Sequence, residues 1–158
     1  MHRIFRNLSV LLILTLGIIS CVGNADVSES TGNGGNPDSI GSGPGLETPY
    51  GIAVEADGSL VMVDYGLEAV VRVDAVSGDR TIISDASIGS GPGFESPLGI
   101  AVEANGSLVV VDAGLDAVVR VDAVSGDRTI ISDDSIGSGP GFETPFGIAV
   151  EANGSLVV

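Results

Sequence analysis

Gly41-Ser42-Gly43-Pro44-Gly45 recurs at Gly89–Gly93 and again at Gly137–Gly141, a constant spacing of 48 residues. A fixed long period constrains a fold more than any local pattern. Each copy must be one supersecondary unit that buries itself against its neighbours. Residues 41–88 and 89–136 agree at 40 of 48 positions, and a third, partial copy runs from Gly137 to Val158.

Within one copy the apolar residues fall in short runs separated by turn residues, and no helical period is sustained. Gly51–Glu55, Leu60–Asp64, Ala69–Asp74 and Asp79–Ser84 are the expected strands. Asp57-Gly58, replaced by Asn105-Gly106 and Asn153-Gly154 in the later copies, is a hairpin signal. It predicts a type I′ turn, with positive φ at both central residues. Tyr65–Glu68 and Ala75–Gly78 supply the other two turns. Each copy is therefore a four-stranded antiparallel unit. Its strands are apolar on both faces: Val61 and Val63 lie opposite Leu60 and Met62, and Val71 and Val73 lie opposite Val70. A sheet with two apolar faces must be covered on both. With 44% apolar but only 4% aromatic residues, the covering has to come from branched aliphatics. Stacked four-stranded sheets, one per 40–50 residues, are the signature of a β-propeller, with a β-solenoid as the competing architecture. The repeats amount to about two and a half blades over residues 41–158. Propellers close with about four to eight blades. The expectation is a fragment of a longer ring, with assembly of several chains as the alternative.

Residues 1–20 carry the parts of an export signal: Arg3 and Arg6, then an apolar run from Leu8 to Ile19, then Ser20. The run is too short to span a bilayer as a helix, which needs about 20 residues. Ile18-Ile19-Ser20-Cys21 resembles the bacterial lipoprotein box. That resemblance implies acylation of Cys21, the chain's one cysteine, and a cell-envelope location facing periplasm or exterior, at the outer membrane in a Gram-negative cell. Residues 21–40, rich in Ser, Gly, Asn and Asp, are expected to be a flexible tether.

The formal net charge is −15, and removal of Arg3 and Arg6 with the signal takes it to −17. A field this negative repels nucleic acid, and no basic patch is formed, so no nucleic-acid partner is expected. His2 is the only histidine, and it lies in the signal. The repeats therefore lack the usual general base, thiol nucleophile and zinc ligands. The glycine motif lacks the Lys-Ser/Thr ending of a phosphate loop and is read as an inter-blade connector. Arg72 and Arg120 are read as structural partners of acids on neighbouring strands.

Pro49-Tyr50-Gly51-Ile52-Ala53-Val54-Glu55-Ala56-Asp57-Gly58, continuing through Leu60–Asp64, resembles the NHL repeat, and the match recurs at Pro97–Asp112 and Pro145–Val158. NHL repeats form six-bladed propellers related to gluconolactonase-like and streptogramin-lyase-like ones. The resemblance implies blades of a six-bladed ring, with Glu55, Glu103 and Glu151 near its channel. Asp64 and Asp112 stand at strand ends, where propeller loops meet ligands. A carboxylate ring could hold Ca²⁺, as gluconolactonase-like propellers do. The simpler reading is that these acids cap strands and bind turn amides, with no cofactor. The family's Asn-His-Arg is replaced by Gly66-Leu67-Glu68-Ala69, so lyase chemistry dependent on histidine is not carried over. Near-identical copies suit multivalent binding better than an asymmetric active site. The expected function is a membrane-anchored scaffold for a protein or glycan. The alternative is a metal-dependent lactonase-like or lyase-like propeller with catalytic residues in further blades.

Overall fold

A computed structural model describes residues 40–158; the expected signal, Cys21 and all but the last residue of the tether lie outside that range. The described residues form three antiparallel sheets and no helix. The first sheet is β1 (Pro49–Val54), β2 (Leu60–Asp64), β3 (Ala69–Val73) and β4 (Arg80–Ser84), in spatial order β1-β2-β3-β4. The second repeats it as β5 (Pro97–Val102), β6 (Leu108–Asp112), β7 (Ala117–Val121) and β8 (Arg128–Ser132). In the third copy β9 (Ala149–Val150) pairs with β10 (Leu156–Val157). The expected strands of the first two copies all form, within one or two residues at their ends.

Register explains why both strand faces are apolar. Val61 lies opposite Ala53 and Arg72, while its neighbour Met62 lies opposite Ile52 and Val71, so alternate residues line opposite faces. Val61, Val63, Val70 and Ile83 of the first sheet pack on Ile100, Leu108, Val110, Val119 and Val121 of the second. The other face of the second sheet, Val109, Val111 and Val118, packs on Ile148, Val150 and Leu156 of the third. The middle sheet is thus covered on both sides, and burial of each such aliphatic side chain contributes about 1.5–3 kcal/mol. These are stacked β-propeller blades.

The innermost strands lie side by side: β1 against β5, and β5 against β9. Glycine makes that approach possible. A Cβ on Gly51 would stand 2.7 Å from the Leu98 carbonyl oxygen, and one on Gly99 would stand 2.8 Å from that of Phe146. The Gly-Ser-Gly-Pro-Gly connector runs along the outermost strand of its own copy, where the Ser42 and Ser90 carbonyls accept the Arg80 and Arg128 backbone N–H groups. It thereby occupies part of an edge that would otherwise be open. Arg128 then joins the first two blades. Its Nη1 donates to the Ser84 hydroxyl (2.6 Å) and to the Asp85 (2.7 Å) and Ile88 (3.0 Å) carbonyls, all in the first copy or its connector. Its guanidinium lies 5.5 Å from the Phe94 ring centre.

One turn differs from expectation. Among the described residues Asp57, Asn105 and Asn153 do not take positive φ; only Gly58, Gly106 and Gly154 of each pair do. The Gly58 N–H donates to the Glu55 carbonyl (3.0 Å) and the Glu55 N–H to the Ser59 carbonyl (2.8 Å). This is a three-residue loop, a type I turn closed by a left-handed glycine, rather than type I′. The Asp57 carboxylate accepts the Ser59 N–H at 2.9 Å, a local bond that holds the aspartate on the negative-φ side.

Candidate functional site

The carboxylates singled out from sequence are separated by the structure into two groups. Asp64 and Asp112 end β2 and β6 and are fully buried. Asp64 Oδ1 accepts the N–H groups of Thr48 (2.9 Å), Gly66 (3.0 Å) and Leu67 (3.2 Å), and Oδ2 that of Glu47 (2.8 Å). Asp112 repeats the pattern with Ser96, Gly114, Leu115 and Glu95. Each aspartate staples the segment entering its blade to the turn between the second and third strands.

Glu55, Glu103 and Glu151 sit at the opposite end of the blades. They lie one residue beyond β1, β5 and β9 rather than inside them, because each opens the hairpin turn. Glu55 forms a two-pronged pair with Arg72 (Nη2 to Oε1, 2.7 Å), and Glu103 pairs likewise with Arg120 (2.7 Å). The bond to glutamate raises the pKa of both guanidinium groups. Both arginines make structural ion pairs as expected, but with an acid beyond β1 or β5, two strands away, rather than on a neighbouring strand. Glu151 has no arginine partner among the described residues. The three glutamates recur at one end of adjacent inner strands, but two are turned onto their own blade. No group of three or more His, Cys, Asp or Glu among the described residues is arranged to hold a metal. Other aspartates cap turns. Asp79 and Asp127 accept from Ser42 and Ser90 in the connectors, and these bonds hold their carboxyls below the usual aspartate range.

A different site emerges where the copies diverge. The eight positions that distinguish the first two copies are 46, 48, 50, 57, 62, 65, 68 and 86. Five of them, Leu46, Thr48, Tyr50, Tyr65 and Glu68, fall on the two segments joined by Asp64. The Tyr65 N–H also donates to the Thr48 carbonyl at 2.9 Å. Position 50 is the one aligned position that differs in all three copies: Tyr50, Leu98 and Phe146. These residues, with Gly51, Gly99 and Gly147, line a cleft of about 280 Å³ where the innermost strands begin. The Tyr50 ring meets both Tyr65 and Phe146 edge to face, with centroids 6.2 Å apart in each pair. Tyr50, Tyr65 and Phe146 are 50%, 44% and 64% exposed. Residue chemistry pointed to the acids and missed this cleft. Comparing the copies for the position that never repeats would have found it.

No family model matches the chain. No curated protein does either. Similarity appears among solved structures. A gluconolactonase from Xanthomonas campestris aligns at 24% identity with a TM-score of 0.57, over 70% of this chain and 34% of that one. Virginiamycin B lyase from Staphylococcus aureus aligns at 23% identity and a TM-score of 0.53, over 68% and 33%. A chain of the nidogen/laminin complex aligns at 21% identity and a TM-score of 0.54, over 68% and 38%. The chain thus spans about a third of the length of these neighbours. Identities this low establish fold alone, and the fold of the described residues is that of successive β-propeller blades.

Proposed function

We propose that the chain is a membrane-anchored, extracytoplasmic binding scaffold that receives a protein or glycan on the blade end bearing Tyr50, Tyr65 and Phe146. The observation that carries this reading is the gathering of copy-to-copy differences there. Elsewhere the first two copies differ only at positions 57, 62 and 86 and keep the same strands and staples, which is what stacking requires. A repeated framework that varies at one aromatic end has the layout of a binding surface. The anchor rests on the match of Ile18–Cys21 to the lipoprotein box. No histidine lies between residues 3 and 158, and Asp64, Asp112, Glu55 and Glu103 serve turns and ion pairs.

The test is binding of envelope proteins and a glycan array to the full chain and to a Tyr50→Leu/Tyr65→Ala/Phe146→Leu variant. The first two changes install residues that the second copy already carries at those positions, so the blades should tolerate them. Loss of binding with an unchanged melting temperature is the expected result. Undiminished binding by the variant rules out this end as the site. A second reading, a metal-dependent lactonase-like or lyase-like enzyme with its catalytic residues in other blades, draws support from the gluconolactonase and lyase among the fold neighbours. Ca²⁺-dependent lactone hydrolysis by a protein that carries those further blades would favour it.

A further inference from the structure

The cleft combines two features that select the same kind of ligand. Tyr50 stands between Tyr65 and Phe146 with interplanar angles of 79° and 88°, so three partly exposed rings form a corner whose faces and edges turn different ways. Aromatic faces carry negative quadrupolar potential and attract organic cations. The surrounding segments carry Glu47, Glu68, Glu95, Asp116 and Glu143, all exposed. Glu47 abuts the Tyr65–Glu68 turn, its carboxylate within about 3.0 Å of where a Gly66 Cβ would stand. Asp116 reaches the third copy through the Thr144 N–H at 3.2 Å.

No cation among the described residues balances these five acids. Arg72 and Arg120 are held by Glu55 and Glu103 at the opposite end of the blades. The Arg80 side chain donates to the Pro44 carbonyl. Arg128 is buried, with its guanidinium bonded to Ser84, Asp85, Ile88 and Pro92. Lysine is absent from the chain. An apolar ligand would gain from the rings but nothing from the acids. A simple metal cation would gain from the acids, but it holds its hydration water more tightly than an organic cation and gains less from the rings. An organic cation gains from both.

We infer that the corner formed by Tyr50, Tyr65 and Phe146 takes the guanidinium or ammonium group of a basic side chain on a partner protein. This rests on the scaffold reading above and adds to it the chemistry of the ligand. Tyr50 and Tyr65 supply the stacking faces, and Glu47 and Glu68 draw the positive charge in. The second copy, with Leu98 and Ala113 in place of the tyrosines, keeps its acids but lacks the rings.

The experiment titrates the full chain with a labelled peptide of alternating Gly and Arg, and with the same peptide carrying neutral citrulline for Arg. The arginine peptide is expected to bind at least ten-fold more tightly. Tyr50→Leu/Tyr65→Ala, which leaves every charge in place, should weaken it about three- to ten-fold, the range expected for exposed cation–π contacts. Glu47→Gln/Glu68→Gln should weaken it too and flatten its salt dependence. Equal binding of the arginine peptide by the tyrosine variant would reduce the effect to attraction by an acidic protein and overturn the inference, as would no binding at all. If the citrulline peptide binds as well as the arginine one and only the tyrosine variant loses it, the cation assignment falls while the scaffold reading stands. If neither peptide distinguishes parent from variant and the variant also keeps its envelope and glycan ligands, both fall.

Discussion

Three glycines in one connector, Gly89, Gly91 and Gly93, stand in two kinds of surroundings. Gly89 has φ 81° and Gly91 φ 103°, and a Cβ on either would lie 2.0 Å from a backbone oxygen, that of Gly126 or Arg128. Gly93 has no left-handed φ, and nothing approaches its Cβ position within 4 Å. Gly91→Ala should therefore cost about 2–4 kcal/mol, through left-handed strain and a backbone clash that cannot relax by rotating a side chain. Gly93→Ala should be neutral or stabilise slightly, since it only restricts the unfolded chain. Urea unfolding of the two variants checks this, and equal midpoints would refute the assigned packing. The same individuality applies at Tyr50, Leu98 and Phe146. They occupy one repeat position, yet only the two aromatic ones share the ring contact.

At the scale of the element, buried Asp112 outranks the more visible ion pair. Asp112 receives four backbone N–H groups and holds the entry of β5 against the turn that follows β6. Truncation to alanine strands those part-buried donors, and each unmet bond costs up to about 1–3 kcal/mol. With some water entering, Asp112→Ala is expected to lose about 3–5 kcal/mol. Glu103→Gln disturbs a pair whose arginine side chain is 42% exposed, and should cost no more than about 1 kcal/mol. Thermal unfolding of the two variants side by side decides it; a larger loss for Glu103→Gln would mean the pair, not the staple, organises the blade. In the third copy Thr144, aligned with Thr48 and Ser96, adopts φ 58°, and its N–H donates to Asp116.

At the scale of the whole molecule, identical residues have different worth according to which sheet faces them. Ile100 is 6% exposed because the first blade covers it, whereas its counterpart Ile52 is 57% exposed among the described residues. Ile100→Ala should cost about 2–5 kcal/mol, while Ile52→Ala should cost less than about 1. Equal losses in chemical denaturation of the 158-residue chain would contradict face-to-face stacking. Stacking itself was legible early, because a period of 48 with four two-faced apolar strands leaves a sheet no other way to bury both sides. Strand positions, the connector role of the glycine motif and the pairing of Arg72 and Arg120 followed from the same local rules of alternation, turn residues and opposite charge. The hairpin type did not: Asp57 and Asn105 are as compatible with one turn as with the other, and only the closing bonds choose. For Asp64 and Asp112 the binding of turn amides was legible, since Gly66, Leu67, Gly114 and Leu115 follow within three residues, but the donors 16 or 17 residues back along the chain were not. The sequence alone determined the repeat, its strands and the need to stack, since these rest on period and local chemistry. Only the tertiary structure decided which acids are consumed as staples and which residues meet at the cleft, because that depends on what a turn places beside a strand from another copy.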